Sequence, residues 1–243
     1  MASKISDYKL LSFDCYGTLI DWETGIYALI QPLIERTGSS WTRDQAITAY
    51  NTEEHKLEQE QPGMLYSQIV AGSIARVASQ LGTELSETEK EAAGESVGKW
   101  APFPDTVAAL ERLSKFYKLV ILSNVDLSSF SHTKKLLEHG FTFDRILTAQ
   151  EIGSYKPDVR NFEHMLGVAK ELGVERDQVL VTACSLFHDH IPANKLGLAS
   201  AWIDRKDGVG NATGAQWNFR FPTMGAMADA LEKELEEAKK AAS

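Results

Sequence analysis

Five short apolar runs punctuate the chain: Lys9–Phe13, Lys118–Leu122, Arg145–Thr148, Val179–Ala183 and Ala199–Ile203. Most are β-branched or leucine-rich, and Gly, Asn or Asp bounds them. They are short for helices and lack polar alternation, the pattern of strands buried on both faces of a parallel sheet. Between them, helical spacing predicts helices over Thr106–Phe116, Ser128–His139, Asp158–Leu172 and His190–Leu196. This alternation predicts an α/β fold, a parallel sheet with helices on both faces.

The rhythm breaks once. From residue 22 to 100 the apolar positions recur only at helical intervals, and no strand pattern intervenes. "GIYALIQPLIER" is one such segment, with Pro32 predicting a kink or break. "TRDQAITAYNTEEHKLEQE" reads as a charged amphipathic helix. "GMLYSQIVAGSIARVASQLG" ends at Gly82, as a helix stop should. "SETEKEAAGESVGKW" opens on a Ser-x-x-Glu capping pattern. Four helices of this length make an all-helical inserted domain. The two prolines of "APFPDT" (101–106) predict the hinge back. The expected organisation is an α/β core of residues 1–21 and 101–243, with the insert at 22–100. "MGAMADALEKELEEAKKAAS" predicts a polar terminal helix.

Composition narrows the partners. Of 243 residues, 43% are hydrophobic and 24% charged, with a net charge of −9. Such a surface argues against nucleic acid and anionic membrane as partners. No stretch is apolar enough to span a bilayer, and "MASKISDYKLLSFD" lacks a signal-peptide pattern. Two cysteines, Cys15 and Cys184, make no disulfide framework. A reduced, cytoplasmic setting follows as the expectation, in which the sequon Asn211-Ala212-Thr213 has no role.

Ligands of an open parallel sheet sit beyond the carboxyl ends of its strands. The first strand ends there in Asp14, followed by Tyr16 and Thr18. The second ends in Ser123-Asn124. Lys156-Pro157 follows the third. The fourth ends in Cys184-Ser185, with His188-Asp189-His190 beyond. Taken singly, Asp14 is an ordinary turn aspartate, Lys156 a loop lysine, and Asn124 a cap. Together they read as an ionised nucleophile (Asp14), a cation that favours its charged form (Lys156), and hydroxyl and amide donors (Thr18, Ser123, Asn124). The His-x-His pair reads as structural, because its rings diverge. Trp22, Tyr50 and Tyr66 are candidates to wall a small apolar cavity.

Asp-x-x-x-Thr, then Ser, then Lys, then an acid-bearing loop resembles the haloacid dehalogenase superfamily over nearly the whole chain. "FDCYGTLIDW", "ILSN" and "YKPD" resemble the type II L-2-haloacid dehalogenases most. The resemblance implies a Rossmann-like core, a helical cap over residues 22–100, and Asp14, Thr18, Lys156 and Asp189 as catalytic residues. It implies Tyr16, Ser123, Asn124, Ser185 and Arg43 as substrate contacts. Superfamily phosphatases usually carry an acid where Tyr16 stands, to protonate a departing alkoxide. Halide needs no proton. Metal-dependent members carry an acid where Cys184 stands, and a thiol is a poor Mg²⁺ ligand. The family's cap arginine corresponds in region to Arg43, and the tyrosine after its active-site lysine is Phe162 here.

The expected function is hydrolysis of the carbon–halogen bond of a small anionic 2-haloacid through an aspartyl ester, without cofactor or metal. Two rivals stand beside it. One is a Mg²⁺-dependent phosphatase working through an aspartyl phosphate. The other is a binding protein on the same fold with little catalysis. A homodimer is the usual assembly of the family resembled.

Overall fold

The computed structural model of the chain describes residues 3–205 and 213–242. Asn211 and Ala212 of the sequon lie outside them. Six strands form one wholly parallel sheet: β1 (Leu10–Phe13), β2 (Lys118–Ser123), β3 (Arg145–Thr148), β4 (Val179–Ala183), β5 (Ala199–Ile203) and β6 (Phe219–Phe221). Their order is β3-β2-β1-β4-β5-β6. The five predicted strands are all present. The sixth, of three residues, falls below what periodicity detects.

Alternation along each strand splits the core in two. Leu11, Phe13, Leu119, Ile121, Leu180 and Ala201 join one buried cluster, whereas Leu10, Val120, Leu122, Val179 and Val181 join the other. The first face meets α5 (Thr106–Leu113), α6 (Leu127–Leu137) and α10 (Met224–Ala242) through residues such as Leu110, Phe130 and Met227. The second meets α8 (Val159–Glu171) and α9 (Ile191–Lys195) through Phe162, Met165 and Ala193. Side chains of this size, fully buried, each contribute about 1.5–3 kcal/mol. That double cover explains why the strand sequences carry no polar face. A short α7 (Ala149–Ile152) follows β3.

Between β1 and α5 run α1 (Trp22–Thr37), α2 (Arg43–Glu60), α3 (Tyr66–Gln80) and α4 (Glu87–Ser96). Pro32 neither breaks nor ends α1, which continues past it to a left-handed Gly38. Pro32 is exposed, so the ring stands in solvent and the lost N–H bond is the main cost. Gly82, at φ 78°, follows the end of α3, and Ser86 with Glu89 caps α4, both as the sequence predicts. The two connections to the sheet domain are paired. Asp21 N–H donates to the Ala101 carbonyl at 2.9 Å and Phe103 N–H to that of Leu19 at 3.0 Å. No described helix is long and apolar enough to cross a membrane.

Candidate active site

β1 sits between β2 and β4, so the segment beyond Phe13 emerges where the chain's crossovers part to opposite sides. Asp14 stands there, its backbone N–H on the Thr182 carbonyl at 3.1 Å. The residue is 8% exposed, at the floor of a cavity of about 980 Å³ lined from both the sheet and the helical insert.

Two loops hold the carboxylate. Thr18 donates its hydroxyl to Asp14 Oδ2 at 2.6 Å and accepts the Cys184 N–H at 2.8 Å. Gly17, at φ 96°, makes the turn that brings Thr18 back. Lys156 Nζ donates to Asp14 Oδ1 at 3.0 Å, to Asp189 Oδ1 at 2.7 Å and to the Leu122 carbonyl at 2.9 Å. All three donors of the ammonium are thus used inside the protein, and the lysine is 2% exposed. Burial alone would push its pKa down, but Asp14 and Asp189 hold it above the ordinary lysine value. Burial pushes Asp189 up to about 7, against the pull of Lys156 and with the charge of Asp14 adding to the rise. Its Oδ2 is buried and has no partner.

Three expected substrate contacts are already occupied. Asn124 receives the Lys156 N–H on Oδ1 at 2.7 Å and donates Nδ2 to the Lys156 carbonyl at 3.0 Å. Both ends of its amide fix the lysine loop. Ser185 pairs with His188, its Oγ accepting the His188 N–H at 3.1 Å and lying 3.2 Å from Nδ1. It caps a π-helical turn, Leu186–His190. Tyr16 lines the cavity, but its hydroxyl lies 2.9 Å from Thr133 Oγ1 and its ring packs edge-on against Trp100. Ser123 lines the cavity, is 3% exposed, and its Oγ has no partner among the described residues. Arg43 opens α2 at the exposed rim of the cavity, its guanidinium 3.4 Å from Thr24 Oγ1 and over the Tyr27 ring. Phe162 is fully buried in the sheet's second cluster and does not reach the cavity.

The histidines diverge as expected. His190 is buried, with Nδ1 2.8 Å from Ser200 Oγ and Nε2 3.1 Å from the Ala183 carbonyl. His188 stacks instead on His55 of α2 in the cavity wall, and burial pushes its pKa down to about 3, helped by the charge of Lys156. Of the three aromatics, Trp22 and Tyr66 line the cavity, whereas Tyr50 lies behind the wall, fully buried.

Several residues at the site were not expected. Arg205, just after β5, bonds the Thr18 carbonyl through Nε and Nη2 at 3.1 and 2.8 Å and pairs with Asp105 at 2.6 Å. The rule that picked Asp14, Ser123 and Cys184 applies to the fifth strand as well, and would have found it. Tyr155, next to Lys156, donates its hydroxyl to the Met64 carbonyl of the insert at 2.6 Å. Ser67 of α3 donates its N–H to Asp126, the cap of α6, at 2.9 Å. On α2, Asp44, Thr48, Asn51, Glu54, His55 and Glu58 line the cavity at helical spacing. Glu54 accepts the hydroxyls of Tyr50 and Tyr66 at 3.0 and 2.7 Å.

Known proteins share this arrangement. The family model of the haloacid dehalogenase-like hydrolases matches residues 8–182. The chain is 24% identical to the (S)-2-haloacid dehalogenase of Pseudomonas putida over 226 residues, 90% of this chain and 96% of that one. It is 29% identical to the glyceraldehyde 3-phosphate phosphatase of Methanothermobacter thermautotrophicus over 105 residues, 42% of this chain and 45% of that one. The L-2-haloacid dehalogenase of Xanthobacter autotrophicus with chloropropionic acid covalently bound superposes with a TM-score of 0.74 at 18% identity, covering 93% of this chain and 98% of the other. That likeness carries the fold, and the family match carries the membership. With the family model matched over residues 8–182, on a parallel sheet carrying a helical insert, the chain is a member of the haloacid dehalogenase-like hydrolase family.

Proposed function

We propose that the protein hydrolyses the carbon–halogen bond of a small 2-haloacid, with Asp14 as the nucleophile. The observation that carries this reading is the Asp14 carboxylate itself. It is buried at the base of a cavity, held on one oxygen by Thr18 and on the other by Lys156. The residue two steps on is a tyrosine bound to Thr133, its pKa pushed up by burial. Such a site suits a departing group that is stable as an anion.

In the first step an Asp14 oxygen attacks the halogen-bearing carbon. The C–O bond forms as the C–halogen bond breaks, and halide leaves with the electron pair. The second step is attack by water on the carboxyl carbon of the ester. Asp189, through the unpartnered Oδ2, takes the proton of that water, and a pKa near 7 suits a general base at neutral pH. Cleavage of the acyl C–O bond, with Asp189 passing that proton to the departing alkoxide oxygen and the regenerated Asp14 carboxyl losing its own to solvent, releases a 2-hydroxyacid. Lys156 keeps Asp14 ionised and offsets the charge of the Asp14–Asp189 pair throughout. Ser123 Oγ receives a polar group of the substrate. The insert at 22–100 acts as a cap over a core of residues 1–21 and 101–243, in an intracellular setting.

Similarity to a phosphatase over part of the chain raises a Mg²⁺-dependent alternative. The donor set does not fit it. Lys156 Nζ occupies one oxygen each of Asp14 and Asp189, and Cys184 stands where a further acid would be required. Among the described residues no group of three or more His, Cys, Asp or Glu side chains is placed to hold a metal.

A single turnover in H₂¹⁸O with excess enzyme tests the ester route. The label enters Asp14 first, and the product hydroxyl carries the original carboxylate oxygen. Label appearing directly in the product would overturn covalent catalysis. Turnover of an aryl phosphate that EDTA abolishes would replace the reading with the phosphatase.

A further inference from the structure

The polar stripe of α2 has no role in the chemistry above, yet it forms a wall of the same cavity. Glu58 is partly buried there and makes no hydrogen bond or ion pair with another described residue. Glu54, one turn earlier, is bonded only through phenols. The lysine and arginines of α2 and the facing α3 are engaged elsewhere, Lys56 on Glu53, Arg76 on Glu60 and Glu53, Arg43 on Thr24, and His55 stacks on His188. Six acids line the cavity against three lysine or arginine side chains, with two histidines beside them. Two of those bases, Lys156 and Arg205, are already paired with acids. Like charges four residues apart on a helix are destabilising unless something compensates them.

A second observation indicates that a ligand reaches this wall. Ser123 Oγ at the floor and His188 Nε2 at the flank both line the cavity, both are buried, and neither has a partner. Buried polar atoms are normally satisfied, and the exceptions cluster where a ligand completes them. An occupant that serves Ser123 beside Asp14 and His188 beside His55 passes next to the α2 stripe.

We propose that Glu54 and Glu58 select the substrate, and that the ligand carries an ammonium group at the end remote from the reacting carbon. The class is a small ω-amino acid, halogenated at C2 when it is the substrate. The identity of the reacting end rests on the dehalogenase reading; the ammonium site does not. A simple haloacid carries a single negative charge and gives the acidic wall nothing to receive, whereas a terminal ammonium supplies the missing cation. Burial and the neighbouring Glu54 push Glu58 up to about 9, which is what a carboxyl short of one positive partner shows.

Calorimetric titration of the intact protein with unhalogenated acids tests the site without turnover. The probes are 4-aminobutanoate and 5-aminopentanoate against butanoate and pentanoate. The amino acids should bind roughly 10- to 100-fold tighter, the range of a charge-assisted contact. Glu58→Gln should erase most of that preference and leave pentanoate affinity unchanged. Glu58→Ala serves as a second variant should the first misfold. Equal affinity for both series, no binding of either, or a preference that survives in the folded variants would overturn the proposal. Halide release from 2-chloropentanoate and 5-amino-2-chloropentanoate separates the two readings. An amine preference in binding with no halide from either compound keeps the site and rejects dehalogenation. Equal halide release with equal binding keeps dehalogenation and rejects the site.

Discussion

Two pairs of acids lie at this cavity, and the protein handles them in opposite ways. Asp14 and Asp189, at the carboxyl end of the sheet, share one buried ammonium, so the trio carries little net charge where water is scarce. Glu54 and Glu58, on α2, have no lysine or arginine partner among the described residues, and only His55 lends Glu54 a positive charge nearby. Two phenols serve Glu54, and both carboxyls are pushed up by burial. The sheet pair is charge-balanced before any ligand arrives, as preorganised chemistry requires. The helix pair is left unbalanced, as recognition by an incoming charge requires. On the roles proposed above, the first pair is the part of the site that reacts and the second the part that reads.

Removing the reacting atom breaks the comparison most completely. Asp14→Asn should lower halide release by about 10⁴-fold or more, the usual loss for a nucleophile, while a circular-dichroism melt stays close to wild type. Activity within tenfold of wild type would displace Asp14 from the mechanism. Removing the shared cation comes next. Lys156→Met leaves two buried carboxylates facing each other and should cost roughly 3–5 kcal/mol in urea denaturation at pH 8. The deficit should shrink at pH 5, because Asp189 is then protonated. A deficit independent of pH would mean that packing rather than charge is lost.

Asp189→Asn keeps the size and removes the base. It should reduce kcat by about 10²–10⁴-fold. Wild-type activity should rise as pH passes about 7, where Asp189 loses its proton, and the variant should lack that rise. An unchanged pH profile would leave Asp189 as a salt-bridge partner alone.

The smallest effect sharpens the other side. Glu58 holds its proton to about pH 9 when folded but only to about 4.5 when unfolded. Its contribution to stability is therefore present below pH 4.5 and lost progressively as pH rises to 9. Glu58→Gln removes that penalty. The variant should gain about 1 kcal/mol or more over wild type at pH 8, a Tm rise of roughly 2–4 °C, and nothing at pH 4. A variant less stable at pH 8 would mean that Glu58 has a partner that compensates its charge.

The sheet and the floor of the site were legible because each rests on local information. A buried parallel strand announces itself by an unbroken apolar run, and Asp14, Ser123 and Cys184 sit where such runs stop. Lys156 was legible from its motif. The roles of Asn124 and Ser185 were not, because an amide or hydroxyl reads alike whether it serves a ligand or a neighbouring backbone. The wall of α2 was hidden for a different reason. "NTEEHKLE" has the composition of a solvated helix face, and only packing against the sheet's open end turns one stripe of it inward. Arg205 was within reach of the strand-end rule, but its bond to a backbone carbonyl 187 positions away was not. Phe162, matched through the resemblance to the tyrosine after the lysine, is turned by α8 into the second core cluster.

Tyr155 and Lys156 are consecutive residues with different allegiances. The tyrosine hydroxyl grips a carbonyl of the insert, and the lysine ammonium grips the nucleophile. One peptide unit therefore couples the lid to the electrostatics beneath it. Lifting the helices away from the sheet would break the phenol bond one residue from the cation that pairs with Asp14, so on the proposed chemistry opening the cavity and loosening that counter-charge become one movement.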